Sequence, residues 1–212
     1  MVRGEQPIHF ANATLGSERH ICAFFHSREE QYRVLLPFIR EGFEHGQKAF
    51  HIVDPQLMED HLNRLQQAGV DTTKASGMGQ LVVKRWQEAY LRDGYFDQER
   101  MLALVEEVLS AENPLIRLLA HMDWAAEDLP GVNDLVEYET RANFVVAKYK
   151  HPCICVYDCT KFGAGVAMDI LRTHPMVILG GVLQKNPFYV PPAEFLAELR
   201  ERGAYRSPLA AA

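Results

Sequence analysis

Short apolar segments alternate with segments of helical periodicity from Arg19 onward. The apolar segments at 21–25, 49–53, 81–84, 116–120, 153–157 and 176–179 have the length of buried strands. Between them, apolar residues recur every three or four positions, as in helices that cover a sheet. This alternation predicts an α/β fold with a mainly parallel central sheet flanked by helices.

Capping residues and glycines predict where the helices begin and end. The expected helices begin after Ser27, Asp54, Asp97 and Thr160, near residue 132 and at Pro192, and the expected ends include Gly46, Gly69 and Gly203. Residues 1–18 show no sustained periodicity, so an irregular N-terminal arm is expected there. Residues 19–205 are expected to form a single domain, followed by a C-terminal tail at 206–212.

The turn after the first predicted strand lies where a phosphate-binding loop would lie, but it lacks the residue types that such a loop needs. Residues 20–30 contain no glycine and no lysine, so the backbone cannot wrap a phosphate as it does in a Walker A loop. Ser27 and Glu30 instead have the spacing of a capping box, in which both side chains bond to the start of the helix. We therefore expect no functional Walker A loop, and a ligand other than a nucleoside triphosphate.

The amino-acid composition argues against two classes of function, nucleic-acid binding and membrane insertion. The formal net charge is -6, which argues against direct nucleic-acid binding because no basic face is available to neutralise phosphates. No apolar run approaches the roughly 20 residues of a membrane span, and the N-terminus lacks the apolar region of a signal peptide. These features predict a cytoplasmic protein that does not contact membranes.

The four cysteines are too few and too clustered for the disulfide framework of a secreted domain. Cys153 and Cys155 alternate along an apolar strand, so we expect reduced thiols that pack on one face of it. There is no C-x-x-C pair, and the cysteine and histidine spacing matches no zinc signature. No metal site is therefore predicted from the pattern.

In a parallel sheet, ligands bind beyond the carboxyl ends of the strands. The residues that follow the predicted strands are His26, Ser27, Asp54, 121–124, Asp158, Gly180 and Gly181. These histidines, aspartates and a tryptophan could orient a small organic molecule. Asp123 could line such a pocket, cap a helix or bind a metal ion.

Three further sites allow more than one interpretation. His20 and Cys22 share a strand face, as a packed core pair or as a reactive pair. Glu137 and Glu139 are two residues apart on a helix and face different directions, so they do not form a paired acid and base. Glu139 could still reach the ligand-binding crevice that is expected at the carboxyl ends of the strands. His174 either fixes the entry into the last strand or supplies a functional imidazole. There is no nucleophile elbow, and no catalytic residue is predicted.

Many short motifs recur in the order known from one protein family. They are HICAFFHS at 20–27 with EE at 29–30, PFIREGF at 37–43, Asp54, GMGQL at 77–81, Tyr90, GYFD at 94–97, MDW at 122–124, YE at 138–139, CVYD at 155–158, HP at 174–175 and NPFY at 186–189. Together they resemble the MEDS family, the sensory domain of the dichloromethane-responsive repressor DcmR and of regulators in methanogens and methylotrophs. The resemblance covers about residues 19 to 200.

The resemblance implies a RecA/KaiC-like fold with a degenerate nucleotide site, acting as a sensor of small organic compounds. Family members often carry a DNA-binding, kinase or other signalling module, and none is recognised in this sequence. The resemblance therefore implies a non-enzymatic domain that binds a small organic ligand at the strand ends and regulates a protein partner in transcription or signal transduction. It names neither the ligand nor a cofactor.

The residues expected to bind the ligand are His20, Cys22, His26, Asp123, Trp124, Glu139, Tyr157 and Asp158. The histidines and acids would orient the ligand, and Trp124 and Tyr157 would form an apolar wall. One alternative is a residual nucleotide binder or ATPase that uses Asp123. Another is a metal- or haem-binding sensor that uses His20, Cys22 and His26. The exposed edge strands of such a sheet are compatible with a homo-oligomer.

Overall fold

A computed structural model describes residues 7–111 and 114–206. The strands are β1 Ile8–Phe10, β2 Ala13–Leu15, β3 His20–Phe25, β4 Lys48–Val53, β5 Leu81–Arg85, β6 Ile116–His121, β7 Cys153–Asp158, β8 Met176–Leu179 and β9 Val182–Lys185. The α-helices are α1 Arg28–Glu44, α2 Met58–Gln67, α3 Thr72–Gly77, α4 Gln98–Leu109, α5 Leu135–Val146, α6 Ala164–Thr173 and α7 Pro192–Arg206. The predicted α/β class is confirmed.

The central sheet has seven strands in the order β5-β4-β6-β7-β3-β8-β9. Every neighbouring pair is parallel except β8 and β9. The six strands that the apolar pattern predicts are all present, and β9 was not predicted. β9 follows a two-residue turn at Gly180 and Gly181, whose φ angles of 57° and 76° require glycine. These two glycines therefore form a hairpin turn. They line a cavity of about 660 Å³ that the other expected strand-end residues do not reach.

Side chains alternate between two cores, one on each side of the sheet. On β3, Cys22 and Phe24 face the core that α4, α5 and α6 cover. Ile21 and Phe25 face the core that α1, α2 and α3 cover. α7 packs against α5 on the outer side of the first core. Within the described residues, no helix is both long enough and apolar enough to cross a membrane.

The N-terminal arm corrects an expectation, in so far as residues 7–18 are described. β1 and β2 form an antiparallel hairpin, and its Ile8, Phe10 and Leu15 are buried. The Phe10 ring lies 4.6 Å from the ring of Phe38 on α1. The hairpin was missed because three residues per strand are too few for a periodic pattern to stand out. The expected tail at 206–212 lies outside the described residues, apart from its first residue.

Two helix starts also differ from the expectation. Thr160 does not cap α6, because its N–H and hydroxyl both bond to the Asp158 carboxylate. α6 begins at Ala164, after Gly163. The short helix α3, which Asp71 caps, was not predicted, because a single turn and a half is too short to show periodicity.

We expect Phe10→Ala to lower the free energy of unfolding by about 3 kcal/mol, because it leaves a cavity against Phe38. Phe188→Ala is the matched control, because that ring is 55% exposed, and it should cost less than about 0.5 kcal/mol. Urea unfolding of both variants measures the difference. Equal, small losses would mean that the hairpin does not belong to the folded core.

Candidate functional site

A group of polar side chains lies inside the core under α5. We call His20, Glu139, Cys155 and His174 the polar core cluster. His20 is the first residue of β3, Cys155 lies in β7, Glu139 is on α5, and His174 connects α6 to β8. All four side chains are buried. Buried polar groups are costly unless they bond to one another, so their arrangement requires a specific reason.

The Glu139 carboxylate is the centre of this cluster. Its Oε2 lies 3.4 Å from His20 Nε2, 3.4 Å from His174 Nε2 and 3.7 Å from Cys155 Sγ. Its Oε1 accepts a hydrogen bond of 2.9 Å from the Tyr157 hydroxyl. One carboxylate oxygen is therefore held by Tyr157, and the other faces the two imidazoles and the thiol.

The surrounding hydrogen bonds orient both imidazoles. Asn143 Nδ2 donates to the backbone carbonyls of Glu139, Thr140 and Thr173, so its Oδ1 must accept from His20 Nδ1 at 3.0 Å. His174 Nδ1 lies 3.0 Å from the Ile170 carbonyl, which can only accept. Both rings therefore carry a proton on Nδ1 and direct Nε2 at Glu139. His174 Nε2 has no hydrogen-bond partner.

Burial and the neighbouring groups shift the pKa values of Glu139 and His20 in opposite directions. Burial would raise the pKa of the Glu139 carboxyl, but the two neighbouring imidazoles of His174 and His20 outweigh burial and hold that pKa far below its ordinary value. Burial would lower the pKa of His20, but its bond to Glu139 raises it. Burial and the neighbouring His20 lower the pKa of His174. At neutral pH the protein therefore favours a Glu139–His20 ion pair beside a neutral His174.

The eight residues expected to bind a ligand lie in two places. His20, Cys22, Glu139 and Tyr157 are in or beside the polar core cluster. Trp124 is also fully buried on this side of the sheet, where its ring stacks 4.7 Å from Tyr90. Asp123, Asp158 and His26 lie instead at the carboxyl ends of the strands. The expectation of one crevice at the strand ends that holds all eight is therefore not met.

The two places are far apart along the same strand. His20 begins β3 and the exposed His26 follows its last residue, which separates them by about 20 Å at 3.3 Å per residue. The strand-end rule applies to the residues after a strand, whereas His20 and Cys22 lie at its start and middle. His20, Cys22 and His26 consequently do not form a joint metal or haem site.

At the strand ends, the polar groups bond to one another. Asp123 accepts a hydrogen bond from the Asp158 N–H and forms an ion pair of 3.1 Å with Lys161. Burial raises the pKa of Asp123, although Lys161 opposes the shift. The start of α1 is also filled, because Ser27 Oγ accepts from the Glu30 N–H and the Glu30 carboxylate accepts from the His26 N–H. The predicted capping pair is present, with His26 in place of Ser27 as the second donor.

Cys155, His174 and Asn143 belong to the site and were not among the predicted ligand-binding residues. The sequence did predict that Cys155 shares a strand face with Cys153, as it does in the structure. It did not show that β3 pairs with β7 so that Cys22 lies opposite Cys155. Nothing in the sequence near Asn143 indicates its role.

A cavity of about 450 Å³ opens beside the polar core cluster. Its lining includes His20, Asn143 and Phe144, together with Pro175, Tyr189 and Pro192. His20 and Asn143 therefore connect the cluster to a space that a small molecule can enter. Three larger cavities, of about 570 to 660 Å³, include none of the eight predicted residues.

Comparison with known proteins agrees with the resemblance in the sequence. The family model described as MEDS, the MEthanogen/methylotroph, DcmR Sensory domain, matches residues 19–175. The chain belongs to the MEDS family. It is also 26% identical, over 162 residues, to the transcriptional repressor DcmR of Methylorubrum extorquens (strain DSM 6343 / CIP 106787 / DM4). The match covers 73% of this chain and 57% of that repressor, so the chain spans little more than half of its relative.

This MEDS domain contains a second buried polar group, on the other side of the sheet. We call His51, His61 and His121 the histidine trio. His51 Nδ1 lies 2.9 Å from His61 Nε2, and His61 Nδ1 lies 2.7 Å from the Tyr32 hydroxyl. His121 Nε2 lies 2.9 Å from the side-chain amide of Gln31. All three rings are bonded within the protein, and no described cavity above reaches them.

Burial lowers the pKa of every member of the trio. It lowers the pKa of His61 and of His121 to about 3, with further lowering by His121 and His51 respectively. It lowers the pKa of His51 well below the ordinary value, again with a contribution from a neighbouring histidine. Arg28 and Lys161 add to the shift of His121. The folded domain therefore keeps the trio uncharged.

Glu139→Gln should lower the free energy of unfolding at pH 7 by about 3 kcal/mol, because it leaves His20 without its buried counter-charge. Glu137→Gln is the matched control on the same helix. Glu137 is 48% exposed and lies 3.9 Å from Arg141, so its loss should cost less than about 0.5 kcal/mol. Urea unfolding distinguishes the two variants. Equal losses would contradict a buried ion pair at Glu139.

The stability of the domain should fall as the pH is lowered from 7.5 to 5.5. Unfolded histidines bind protons below about pH 6.5, whereas the folded trio does not, so each contributes a loss of about 1.4 kcal/mol per pH unit between about pH 6.5 and 3. His61→Leu should remove the contribution of one histidine to this pH dependence, about 1.4 kcal/mol per pH unit below about pH 6.5, whatever its effect on stability at pH 7.5. Urea unfolding across the pH range provides the measurement. An unchanged pH dependence in the variant would contradict neutral burial of His61.

Proposed function

We propose that this MEDS domain is a non-enzymatic, cytoplasmic sensor that binds a small organic ligand in the cavity beside His20 and regulates a signalling partner. The observation that carries the proposal is that His20 and Asn143 belong both to the lining of this cavity and to the bonded polar network in the core. A ligand in the cavity would therefore contact residues whose positions depend on the buried ion pair.

The chemistry of the cavity suits a small, partly apolar molecule. A volume of about 450 Å³ lies in the range of ligand pockets, which combine apolar walls with a few polar groups. Phe144, Pro175 and Tyr189 supply apolar surface, while His20 and Asn143 supply polar contacts from the core side. Charged residues also line the cavity, namely Glu18, Arg19 and Lys148. Family membership supports a sensory role. The printed name of the relative, a transcriptional repressor, supports an output in gene regulation.

Two helices could carry the signal from the cavity. Asn143 and Phe144 lie on α5, and Pro192 is the first residue of α7. Because α5 packs against α4, α6 and α7, a shift of α5 would change the outer surface of the domain. Such a signal requires that the ligand bind one arrangement of these helices more tightly than the other. The net charge of -6 favours a protein partner over direct contact between this domain and DNA.

We also infer a RecA/KaiC-like relationship with a lost nucleotide site. The position of β3 between β7 and β8, followed directly by α1, suits a strand that once led into a phosphate loop. Ser27 and Glu30 now occupy the N-terminus of α1. The carboxylate of Asp123 is bonded to Lys161 and to the backbone at Asp158. These contacts favour an organic ligand over magnesium and a nucleotide.

Thermal unfolding tests the proposal. We expect the melting temperature of the domain to rise with at least one small organic probe among dichloromethane, methanol, acetone and acetate, and not with magnesium ATP. Native mass spectrometry of the purified protein, beside a denatured run, should detect an organic molecule that co-purifies if the ligand binds tightly. Stabilisation by magnesium ATP alone would contradict the proposal, as would the absence of both a thermal shift and an added mass.

A matched pair of variants locates the binding site. Ala147 is exposed and lines the cavity, so Ala147→Trp should fill the cavity and abolish the thermal shift without disturbing the core. Ala103 is exposed on α4, and Ala103→Trp should leave the shift unchanged. Equal shifts in both variants would mean that the ligand binds elsewhere.

A further inference from the structure

The polar core cluster combines the donor atoms that bind transition metals. It presents two imidazole nitrogens, one cysteine sulfur and one carboxylate oxygen, and these four atoms all lie within 4.8 Å of one another. They come from four separate parts of the chain, namely β3, α5, β7 and the residue pair before β8. The spacing of these residues along the sequence therefore matches no metal-binding motif, and only the fold brings them together.

We propose that His20, Glu139, Cys155 and His174 form a four-coordinate site for zinc or a chemically similar divalent transition-metal ion. This proposal stands independently of the organic ligand. Nitrogen and sulfur bonds to zinc of about 2.0 to 2.3 Å place the donors of a tetrahedral site about 3.3 to 3.8 Å apart. Four of the distances in the cluster, from 3.4 to 3.7 Å, already fall in this range.

The direction of the lone pairs supports this assignment. Both imidazoles donate from Nδ1, His20 to Asn143 and His174 to the Ile170 carbonyl. Such bonds to the second ring nitrogen orient histidines that bind metals. Tyr157 likewise holds Glu139 Oε1 and leaves Oε2 directed at the other three donors. The buried His174 Nε2, which has no hydrogen-bond partner, faces the place where the ion would lie.

Charge balance in the core also favours a divalent ion. With the Cys155 thiol deprotonated, the thiolate and the Glu139 carboxylate together carry two negative charges, which a divalent cation neutralises. Binding releases the thiol proton and any proton on His20 Nε2 to solvent. The loaded site is then neutral inside an apolar core, where an unbalanced charge would be costly. The cavity beside His20 gives the ion a route from solvent.

Cobalt titration of the full chain, after treatment with a chelator, tests the proposal. We expect one cobalt ion per chain, the visible bands of tetrahedral Co²⁺ and a thiolate-to-cobalt charge-transfer band in the ultraviolet. Zinc should displace the cobalt. Because the titration contains no organic ligand, its outcome is separable from that of the sensor proposal. Failure to bind cobalt at micromolar concentrations, or octahedral spectra without a thiolate band, would overturn the assignment.

Two cysteine variants provide the matched comparison. Cys155→Ala should abolish the charge-transfer band and weaken metal binding at least about 100-fold. Even the loss of a residue that only hydrogen-bonds to a metal ligand lowers metal affinity by about 10- to 100-fold. Cys159→Ala removes a half-buried thiol just beyond the end of the same strand, and should leave both properties unchanged. The reverse result would overturn the assignment of Cys155.

X-ray absorption spectroscopy of the zinc-loaded wild-type chain provides a test that needs no variant. We expect one sulfur at about 2.3 Å and three nitrogen or oxygen neighbours at about 2.0 to 2.2 Å. A first shell without sulfur, or with two sulfurs, would overturn the proposed donor set even if the cysteine variants failed to fold.

Discussion

The Glu139 carboxylate is fully buried between the sheet and α5, where water cannot balance its charge. A carboxylate in such a place stays ionised only if cations or hydrogen-bond donors surround it. The protein supplies His20 from β3 and both Cys155 and Tyr157 from β7, and the neutral His174 lies beside them. Asn143 and the Ile170 carbonyl in turn orient the imidazoles. The packing of α5 on the strands β3, β7 and β8 therefore depends on one charged group and its partners.

The same arrangement suits the sensory role that we propose for this domain. Of the four residues of the polar core cluster, only His20 lines the neighbouring cavity, together with its hydrogen-bond partner Asn143. A molecule in that cavity would act on the network through these two residues and through α5. Because buried polar networks lose much of their stability when one partner is displaced, small changes at His20 can have large effects on how α5 packs. None of the four cavities described for the domain is lined by the histidine trio on the opposite side of the sheet, which suits a structural role.

The fold could be predicted from the sequence where strands and helices were long enough to show a repeating pattern of apolar residues. Six parallel strands and the main helices followed from apolar spacing and capping residues such as Ser27, Asp97 and Pro192. The hairpin around Phe10, the strand β9 and the helix α3 were missed, because each is too short to show a period. Half of the predicted site residues lie in or beside the polar core cluster, although the sequence placed them in a crevice at the strand ends. They are His20, Cys22, Glu139 and Tyr157. Cys155 and His174 could not be added, because only the pairing of β3 with β7 and β8 brings them next to Glu139.

Nitrogen-15 NMR of the histidine rings, on chelator-treated protein at pH 7, tests the arrangement around Glu139 most directly. Long-range proton–nitrogen correlations show which ring nitrogen carries the proton. We predict that both His20 and His174 are protonated on Nδ1, and that Nε2 of His174 is bare. A proton on Nε2 of His174 with a bare Nδ1 would contradict the arrangement. Nε2 would then donate to Glu139 and would have no lone pair to offer a metal ion.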